Sequence, residues 1–459
     1  MKKALFTLLA ILFIYGSLYA SESNLAITVY NEDLGLVREI RPIEFKKGIY
    51  NFSFKDVPSR IDPTSVHFKP LKSQNSISIL EQNYQYDLVN PDKIFDKYID
   101  YTIAAVGKNG QLYEGKLLSH SSGSIVIQGK KGDLTVVRVA ELTDFKFEKL
   151  PEGLLTKPTL VWRFDSRTSG SINCEVSYLT GGIQWHAEYI AVVADDDKSL
   201  ELSGWVSIDN KSGGSFKNAK VKLIAGDVNI VQDVAKKGYG RGAVELHDAS
   251  APMFDEKSFF EYHLYTLQRN ADILNNEIKQ ITLFPASLVS ADKVYTFGGD
   301  SYNRRRGRDG EKVKVTLEFK NSKSGGLGIP LPKGKIRVYK MDTDKSLEFI
   351  GEDRIDHTPT DEMVRVYVGD AFDVVAERKQ TDQKRITDRI SERTIEIKLR
   401  NHKKENVEVV VIEKIWGRDW EIKESNYKYH KKDSNTIEFK VPVKANGGET
   451  VITYTARIG

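Results

Sequence analysis

The chain has 459 residues, with 68 Lys and Arg against 64 Asp and Glu, a formal net charge of +4 and one Cys. Its hydrophobic fraction of 40% and its low net charge exclude a disordered chain, and the near balance of charges gives no overall field for nucleic acid or for a membrane. One Cys also excludes an intramolecular disulfide and a zinc site built from several Cys.

The first twenty residues have the pattern of a secretory signal peptide. Lys2 and Lys3 form a positive start, residues 4–15 are apolar and uncharged, and Ala20 is a small residue before Ser21. The apolar run is shorter than the ~20 residues of a membrane-spanning helix, and no later stretch is apolar enough to span as a helix. We expect an exported protein, periplasmic or envelope-associated in a bacterium. A retained N-terminal anchor is the open alternative.

Apolar and polar residues alternate with a period of two along the chain, which predicts an all-β protein. The alternation begins with Leu25, Ile27 and Val29 on one strand face, and it recurs in residues 394–400 and 435–443. Turn signals rich in Gly and Asn separate such runs at short spacing, as in sandwiches and small barrels. Examples are residues 109–110, 131–133, 181–182 and 446–448.

Residues 90–98 are the best candidate for a helix. Asn90 suits the N-cap and Pro91 the first helical position, while Ile94, Phe95 and Tyr98 share one face. Five short apolar runs follow, at residues 101–106, 112–119, 124–128, 134–139 and 142–147. One helix and five strands resemble an SH3-like or Sm-like barrel in pattern, so we expect a small barrel inserted in a larger β protein.

The expected fold class is all-β: stacked β-sandwich domains, a small SH3-like barrel inserted near the N-terminus and an Ig-like C-terminal sandwich. At about 150 residues per domain, a chain of this length divides into several domains. The predicted parts are a signal peptide at 1–20, an N-terminal β domain at 21–89, the barrel at 90–150, a central sandwich region at 151–382 and the C-terminal sandwich at 383–459.

Three polar stretches interrupt these runs. Residues 231–256 and 298–312 are predicted surface loops, and the second contains Arg304, Arg305, Arg306 and Arg308. A solvated hairpin tip is the favoured interpretation of this basic run, and binding of phosphate or an acidic glycan is the alternative. The polar residues 381–393 are predicted to be a boundary or edge segment before the C-terminal sandwich.

Motifs for catalysis or cofactor binding are missing from the sequence. The eight His are not spaced as local metal pairs, and there is no HExxH, P-loop, dinucleotide fingerprint or nucleophile elbow. We therefore predict no cofactor and no metal site, and we assign no catalytic residue. Asp195–Asp197 and the pair Asp342 and Asp344 are predicted hairpin turns, with calcium binding as the alternative.

Four single residues are candidates for chemistry. His263, His186 and His357 could each join a triad assembled in space, but a His packed beside an aromatic strand is the favoured interpretation. Cys174 shares a strand face with Val176 and other apolar residues, which predicts a buried and inert thiol.

Exposed aromatic residues can stack on sugars or seat a peptide. Trp185 shares a strand face with Tyr189, and Trp416 and Trp420 bracket a short turn. Core or corner positions are favoured for all three Trp, as is usual in β-sandwiches.

Several stretches together resemble a bacterial secreted family of unknown function that is found in mucoidy-inhibitor-like proteins. They are residues 182–189, 216–227, 261–267, 276–283, 331–339, 355–359 and 368–374. The resemblance implies an exported, multi-domain β protein, and it implies neither catalytic residues nor a ligand. Some relatives carry a long coiled coil after the N-terminal strands, where this chain has the predicted barrel.

The favoured function is a non-enzymatic envelope module that binds another protein or a polymer. Exposed sheet edges would accept an extended segment by strand addition. A hydrolase with a site assembled from distant loops is the alternative, and an outer-membrane barrel is less favoured. The sequence leaves the partner and the oligomeric state unassigned, and it predicts no nucleic-acid partner.

Overall fold

The computed structural model describes residues 24–151, 154–226, 228–229, 254–299 and 312–459. These residues are mostly β-strand, with one α-helix and three short 3-10 helices, which confirms the predicted all-β class. The helix is α1 (Pro91–Lys97), and the 3-10 helices are Pro63–Ser65, Gln74–Ser76 and Val139–Glu141.

The strands, in chain order, are β1 (Leu25–Tyr30), β2 (Gly35–Phe45), β3 (Gly48–Lys55), β4 (His67–Pro70), β5 (Ile77–Gln85), β6 (Thr102–Gly107), β7 (Leu112–Ser121), β8 (Ser124–Gln128), β9 (Leu134–Arg138), β10 (Leu142–Lys146), β11 (Thr159–Ser166), β12 (Gly170–Thr180), β13 (Ile183–Val193), β14 (Ser199–Asn210), β15 (Phe216–Ala225), β16 (Phe254–Phe259), β17 (Tyr262–Leu267), β18 (Ala271–Ile273), β19 (Glu277–Ser290), β20 (Asp292–Gly298), β21 (Lys312–Lys320), β22 (Gly334–Met341), β23 (Leu347–Ile355), β24 (Met363–Arg385), β25 (Ser391–Asn401), β26 (Val407–Lys414), β27 (Trp420–Ser425), β28 (Tyr429–Lys431), β29 (Thr436–Val443) and β30 (Gly448–Ile458).

Three sheets enclose most of the largest core, and we call them the main sandwich. Sheet A has the order β16-β17-β15-β1-β2-β12-β4, with β18 also on β15. Sheet B is β3-β11-β5, and sheet C is β19-β14-β13-β22-β23. The pairing of β1 with β15 is parallel, so the N-terminal strand is fixed beside a strand almost two hundred positions further along the chain.

Aromatic side chains join the layers of the main sandwich. Phe68 on sheet A lies 5.2 Å from the ring of Trp162 on sheet B, and Phe45 on sheet A lies 5.2 Å from Phe164 on sheet B. Trp162 and Phe164 are fully buried because they alternate with the polar outward residues of β11. Full burial of one such apolar side chain contributes about 1.5–3 kcal/mol.

The predicted helix and five strands form a separate unit inserted between β5 and β11. Strands β5 and β11 pair with each other. The Val89 amide bonds to the Leu155 carbonyl at the point where the chain leaves the main sandwich and returns to it. The Asn90 side chain caps α1 by accepting from the Lys93 amide at 2.9 Å, and Phe95 of α1 packs on the sheet.

We call the sheet of this unit the inserted sheet; its order is β10-β6-β7-β8-β9. Its edge strands β9 and β10 are not hydrogen-bonded to each other, so the strands of the predicted small SH3-like barrel do not close into a barrel. The 3-10 helix Val139–Glu141 connects β9 to β10 in place of a hairpin turn. Strand β10 then pairs with β6 at the other edge of the sheet.

A nine-stranded C-terminal sheet has the order β27-β30-β25-β24-β21-β20-β26-β29-β28. The rings of Phe439 on β29 and Tyr454 on β30 are 5.7 Å apart although these strands are far apart in the sheet order. The sheet therefore folds over on itself and encloses a second core.

Strand β24 belongs to both cores. Val364 and Val366 near its start are buried in the main core, and Val374 and Ala376 are buried in the C-terminal core. The predicted boundary between 382 and 383 falls inside this strand. Residues 381–393 are not a linker, since they form the paired ends of β24 and β25 and the turn between them. Their polarity reflects an exposed hairpin tip.

Within the described ranges, no helix is both long enough and apolar enough to cross a bilayer.

Candidate functional site

Aromatic residues of the family-like stretches meet inside the main sandwich. The Trp185 indole donates to the Ile224 carbonyl at 3.0 Å, and its ring lies 6.1 Å from the ring of Tyr265. The Tyr265 hydroxyl donates to the Pro330 carbonyl at 3.1 Å, and burial raises its pKa. The core position predicted for Trp185 is therefore confirmed.

His357 lies in the loop that follows β23 and holds the backbone of a neighbouring loop. Its Nδ1 accepts a hydrogen bond from the Lys333 amide at 3.1 Å, next to the bridge between Leu331 and Thr358. This bond fixes the backbone of the loop at Lys333 against the loop that follows β23.

His263 forms a His–carboxylate pair on the edge hairpin of sheet A. Its Nδ1 lies 2.7 Å from Oε1 of Glu256, and both side chains are partly exposed. A carboxylate can orient an imidazole, but a triad also requires a nucleophile at the other ring nitrogen. In the described part of the chain, no hydroxyl or thiol is hydrogen-bonded to this ring.

His186 belongs to a surface ion network on sheet C. Its Nε2 lies 3.0 Å from Glu188, whose other oxygen accepts from Arg337 at 2.5 Å. Burial alone would raise the pKa of Glu188, but His186 and Arg337 outweigh it and lower the pKa. The network joins β13 to β22 across their parallel pairing.

Cys174 is fully buried on β12, as predicted. Burial raises the pKa of its thiol to about 11. Since the thiolate is the nucleophilic form, this Cys is inert near neutral pH.

The two acidic runs are hairpin turns, as predicted. Asp197 lies in the turn between β13 and β14, and its carboxylate contacts the ammonium groups of Lys293 and Lys340. Asp342 opens the turn between β22 and β23, where its amide bonds to the Ser346 carbonyl. Among the described residues, no group of three or more His, Cys, Asp or Glu is placed to hold a metal ion.

The C-terminal Trp residues depart from the prediction of core positions. Trp416 is 53% exposed, so that prediction is wrong for it. It lies in a loop beside the chain end, where the Arg418 amide bonds to the Gly459 carbonyl, and such a loop has no sheet face to bury it. Trp420 is partly buried and donates from Nε1 to the Ser434 carbonyl at 2.7 Å.

Some predicted features lie outside the described residues. They are the signal peptide at 1–20, the basic run Arg304, Arg305, Arg306 and Arg308, and most of the loop predicted at 231–256.

A buried carboxylate that the sequence analysis missed lies beside an open cleft of about 230 Å³. Arg41 lines the cleft and donates from Nε to Glu39 at 2.5 Å, and the Tyr178 hydroxyl lies 3.5 Å from the same carboxyl group. Burial raises the pKa of Glu39 by more than Arg41 lowers it. The available signal was the position of Glu39 on the apolar face of β2, between Val37 and Ile43.

Strand β9 has an open backbone edge, which makes it the clearest binding feature of the described chain. Its hydrogen-bonded neighbour is β8. In an antiparallel pair of strands, every second pair of opposite residues is hydrogen-bonded. The Gly129 amide bonds to the Asp133 carbonyl and the Val139 amide bonds to the Gly123 carbonyl, which identifies the hydrogen-bonded pairs of β8 and β9. Thr135 and Val137 therefore bond to β8. The N–H and C=O groups of the intervening residues, Leu134, Val136 and Arg138, point away from the sheet.

The side chains on this strand add an apolar surface to the open edge. Leu134 is 62% exposed and Val136 is 69% exposed, on the face opposite buried Val137. The sequence contained the signal, since residues 134–139 are apolar on both faces of the predicted strand. What the sequence did not contain was the pairing that leaves β9 at an edge.

Three other sheet edges are covered or interrupted. On β23, Asp353 accepts from the Tyr367 amide at 2.7 Å, and a Cβ at Gly351 would lie 2.3 Å from the Val368 carbonyl oxygen, so β24 closes that edge. Strand β4 has four residues and ends in Pro70. Strand β5 is crossed by the bond from Gln82 to the Pro63 carbonyl.

Comparison with known proteins gave no relative: no family model matches the chain, and no curated protein matches it. The resemblance to the secreted family stays a prediction.

Proposed function

We propose that the chain is an exported cell-envelope protein that binds an extended segment of another protein by strand addition at β9, without catalysing a reaction. The observation that carries this proposal is the free backbone edge at Leu134, Val136 and Arg138, flanked by two exposed apolar side chains. Export is proposed from the signal-peptide pattern of residues 1–20.

Strand addition uses the chemistry that this edge offers. Main-chain hydrogen bonds supply affinity, and alternate side chains supply specificity. Each bond contributes about 0.5–1.5 kcal/mol net. Leu134 and Val136 lie on one face, so the complementary segment would be extended and would carry apolar residues at every second position.

The lack of protection at β9 supports the same proposal. Proteins commonly guard an edge strand with charged side chains, Pro or bulges, because a bare edge pairs with other chains. Strand β9 has a regular register with β8, no Pro, and one charged residue, Arg138, at its end. An unguarded edge of this kind would be a liability in a protein that had no use for it.

A backbone substitution tests the proposal directly. Val136→Pro removes one outward N–H while leaving the bonds to β8, since Pro is tolerated where the N–H faces away from the sheet. We expect mild crosslinking in the native envelope, followed by affinity purification, to recover one stoichiometric protein with the wild-type chain and none with Val136→Pro.

Leu112→Ser is the matched control, because Leu112 is an exposed apolar residue of the same sheet on β7. It should leave the recovered protein unchanged. Equal recovery with Val136→Pro, or recovery of the wild-type chain alone, would contradict the proposal. A thermal melt of each variant separates lost binding from lost folding.

The hydrolase alternative has one observation in its favour, which is the raised pKa of Glu39 beside the cleft at Arg41. Shifted carboxyl groups in clefts are frequent at active sites. Here Arg41 and Tyr178 already contact the carboxyl group, as in a structural network. Turnover of an ester, peptide or glycan that Glu39→Gln abolishes, with an unchanged thermal melt, would establish this alternative.

A further inference from the structure

The hairpin between β16 and β17 carries two aromatic residues at its tip. Phe259 is 51% exposed and Phe260 is 85% exposed. Phe260 has a φ of 57°, in the left-handed region that a bulky residue rarely occupies. The turn thus holds a large apolar ring out in solvent at an unfavourable backbone angle. A backbone outlier of this kind points to a role outside the core.

Behind the tip, four cations lie on the outer face of sheet A. Lys257 is two positions before Phe259 on β16 and therefore shares its face, and Lys220 and Lys222 lie on the same face of β15. Arg38 on β2 completes the group. The pKa of Lys222 is lowered, first by burial and then by the charges of Lys220, Lys257 and Arg38, so these groups are close enough to repel.

Among the described residues, few carboxylates offset these cations. Arg38 pairs with Glu175, while within the described chain Lys220, Lys222 and Lys257 have no ion-pair partner. Asp255 lies on the same face of β16 as Lys257 and accepts from Gln268 at 3.0 Å, and Glu261 is in the turn itself. The four cations outnumber the carboxylates of Glu175, Asp255 and Glu261, so the described part of this face is net positive and favours an anion against it.

Apolar and aromatic side chains connect the tip to the cations. Ile224 and Leu264 lie on the outer face of sheet A, outside the main core cluster, and each is only 6% exposed. The Tyr262 ring packs over Gly226, where a Cβ would lie 2.3 Å from it, and Phe260 lies 6.2 Å from Tyr262. The hairpin thus places an aromatic tip on the same side of sheet A as the cations.

We propose that this surface, consisting of Phe259, Phe260, Lys220, Lys222 and Lys257, docks on an anionic lipid bilayer. The two Phe rings would enter the interfacial region, and the lysines would lie against the headgroups. Proteins that bind at a membrane surface commonly insert aromatic side chains into the interfacial region and place basic side chains against anionic headgroups. Two exposed aromatic rings at the tip, 51% and 85% exposed, give the surface an apolar part that a bilayer interface would bury and a soluble polyanion would not. The inference concerns a different surface from β9.

Vesicle co-sedimentation of the exported chain, with its N-terminus verified by mass spectrometry, tests the docking. One set of vesicles is phosphatidylcholine alone, and the other contains a quarter phosphatidylglycerol. We expect binding to the anionic vesicles, weakened by salt. Lys220→Gln with Lys257→Gln should reduce the partition coefficient about 30-fold. Phe259→Ser with Phe260→Ser should reduce it at least about tenfold.

The matched control is Phe372→Ser with Lys384→Gln and Lys404→Gln, since these residues are exposed and lie on β24 and the β25–β26 loop. It should bind as the wild type does. Equal partition of all variants, or no binding to anionic vesicles, would overturn the proposal. Release of the bound chain by inorganic phosphate at matched ionic strength would also overturn it and would indicate a site for soluble phosphate. A dimer of the wild-type chain that is lost in the Phe259→Ser/Phe260→Ser variant would overturn it too, because the tip would then contact a second copy of the chain. None of these results depends on β9.

Discussion

The indole nitrogen of Trp185 on β13 donates a hydrogen bond to the Ile224 carbonyl on β15 at 3.0 Å. The two strands belong to different sheets, so the bond crosses from sheet C to sheet A. A buried carbonyl that loses its donor costs about 1–3 kcal/mol. This one contact therefore helps to fix how the two layers of the main sandwich are aligned.

Replacing Trp185 with Phe should destabilise the fold. The substitution removes the donor to Ile224 and leaves unfilled volume in a fully packed core, so we expect a loss of about 2–4 kcal/mol in the free energy of unfolding. Urea denaturation measures it. Trp416→Phe is the control, because this exposed ring should change the value by less than about 0.5 kcal/mol. Equal effects of the two substitutions would contradict the structural role of Trp185.

An ion pair with a buried carboxylate should stabilise the C-terminal core. Arg378 donates from Nε to Glu413 at 2.9 Å, and the Tyr454 hydroxyl also bonds to this carboxylate. Burial alone would lower the pKa of Arg378, but Glu413 raises it overall. Glu413→Gln leaves the partly buried Arg378 without a counter-charge, which should cost about 1.5–3 kcal/mol in unfolding free energy.

The exposed carboxylate Glu421 provides the comparison for that experiment. It lies 3.4 Å from Arg457 at the surface, where removing one partner typically costs about 0–1 kcal/mol. Glu421→Gln should therefore shift the urea midpoint little. A similar shift for Glu413→Gln would show that the pair in the core adds no stability.

The thiol of Cys174 should not react in the folded protein. Its pKa is raised to about 11 by burial, so at pH 8 only about one molecule in a thousand would carry the thiolate. A colorimetric thiol reagent should therefore react slowly with the native chain and fully after unfolding. Leu112→Cys, which adds an exposed thiol, should give one fast equivalent. Fast reaction of the wild-type chain would contradict the burial of Cys174.

Acid should weaken the contact of Asp197 with Lys293 and Lys340. Burial alone would raise the pKa of Asp197, but the two lysines lower it below its ordinary value of 3.8. The stabilisation is therefore complete above that value and is lost as the pH falls through the lower folded-state pKa. Unfolding free energies between about pH 3 and pH 7 should decline less in Asp197→Asn than in the wild type. Asp195→Asn, an exposed neighbour in the same turn, should behave as the wild type does.

Local features were predictable from the sequence because they depend on neighbouring residues. The cap at Asn90 and the helix that follows it were predicted, and strand β8 has the predicted bounds. The face shared by Trp185 and Tyr189 was predicted as well, and both side chains are buried. In each case the period of the apolar residues and the turn chemistry suffice.

Long-range pairing was not predictable from one sequence. Nothing in residues 25–30 indicates that β1 pairs in parallel with β15. Nor does the sequence of β20 indicate its parallel pairing with β26. The same limit applies to the candidate site, since Val136 looks like any strand residue until its strand is found at an edge. Trp416 was misjudged because its loop is fixed by the distant Gly459.

Amide hydrogen exchange at β9 is the most direct measurement of the central claim. We expect the amides of Leu134, Val136 and Arg138 to exchange quickly in the isolated chain, and those of Thr135 and Val137 to be protected. Binding of the envelope partner should protect the first three. Protection of these three in the isolated chain, or fast exchange of them in the complex, would contradict strand addition at this edge.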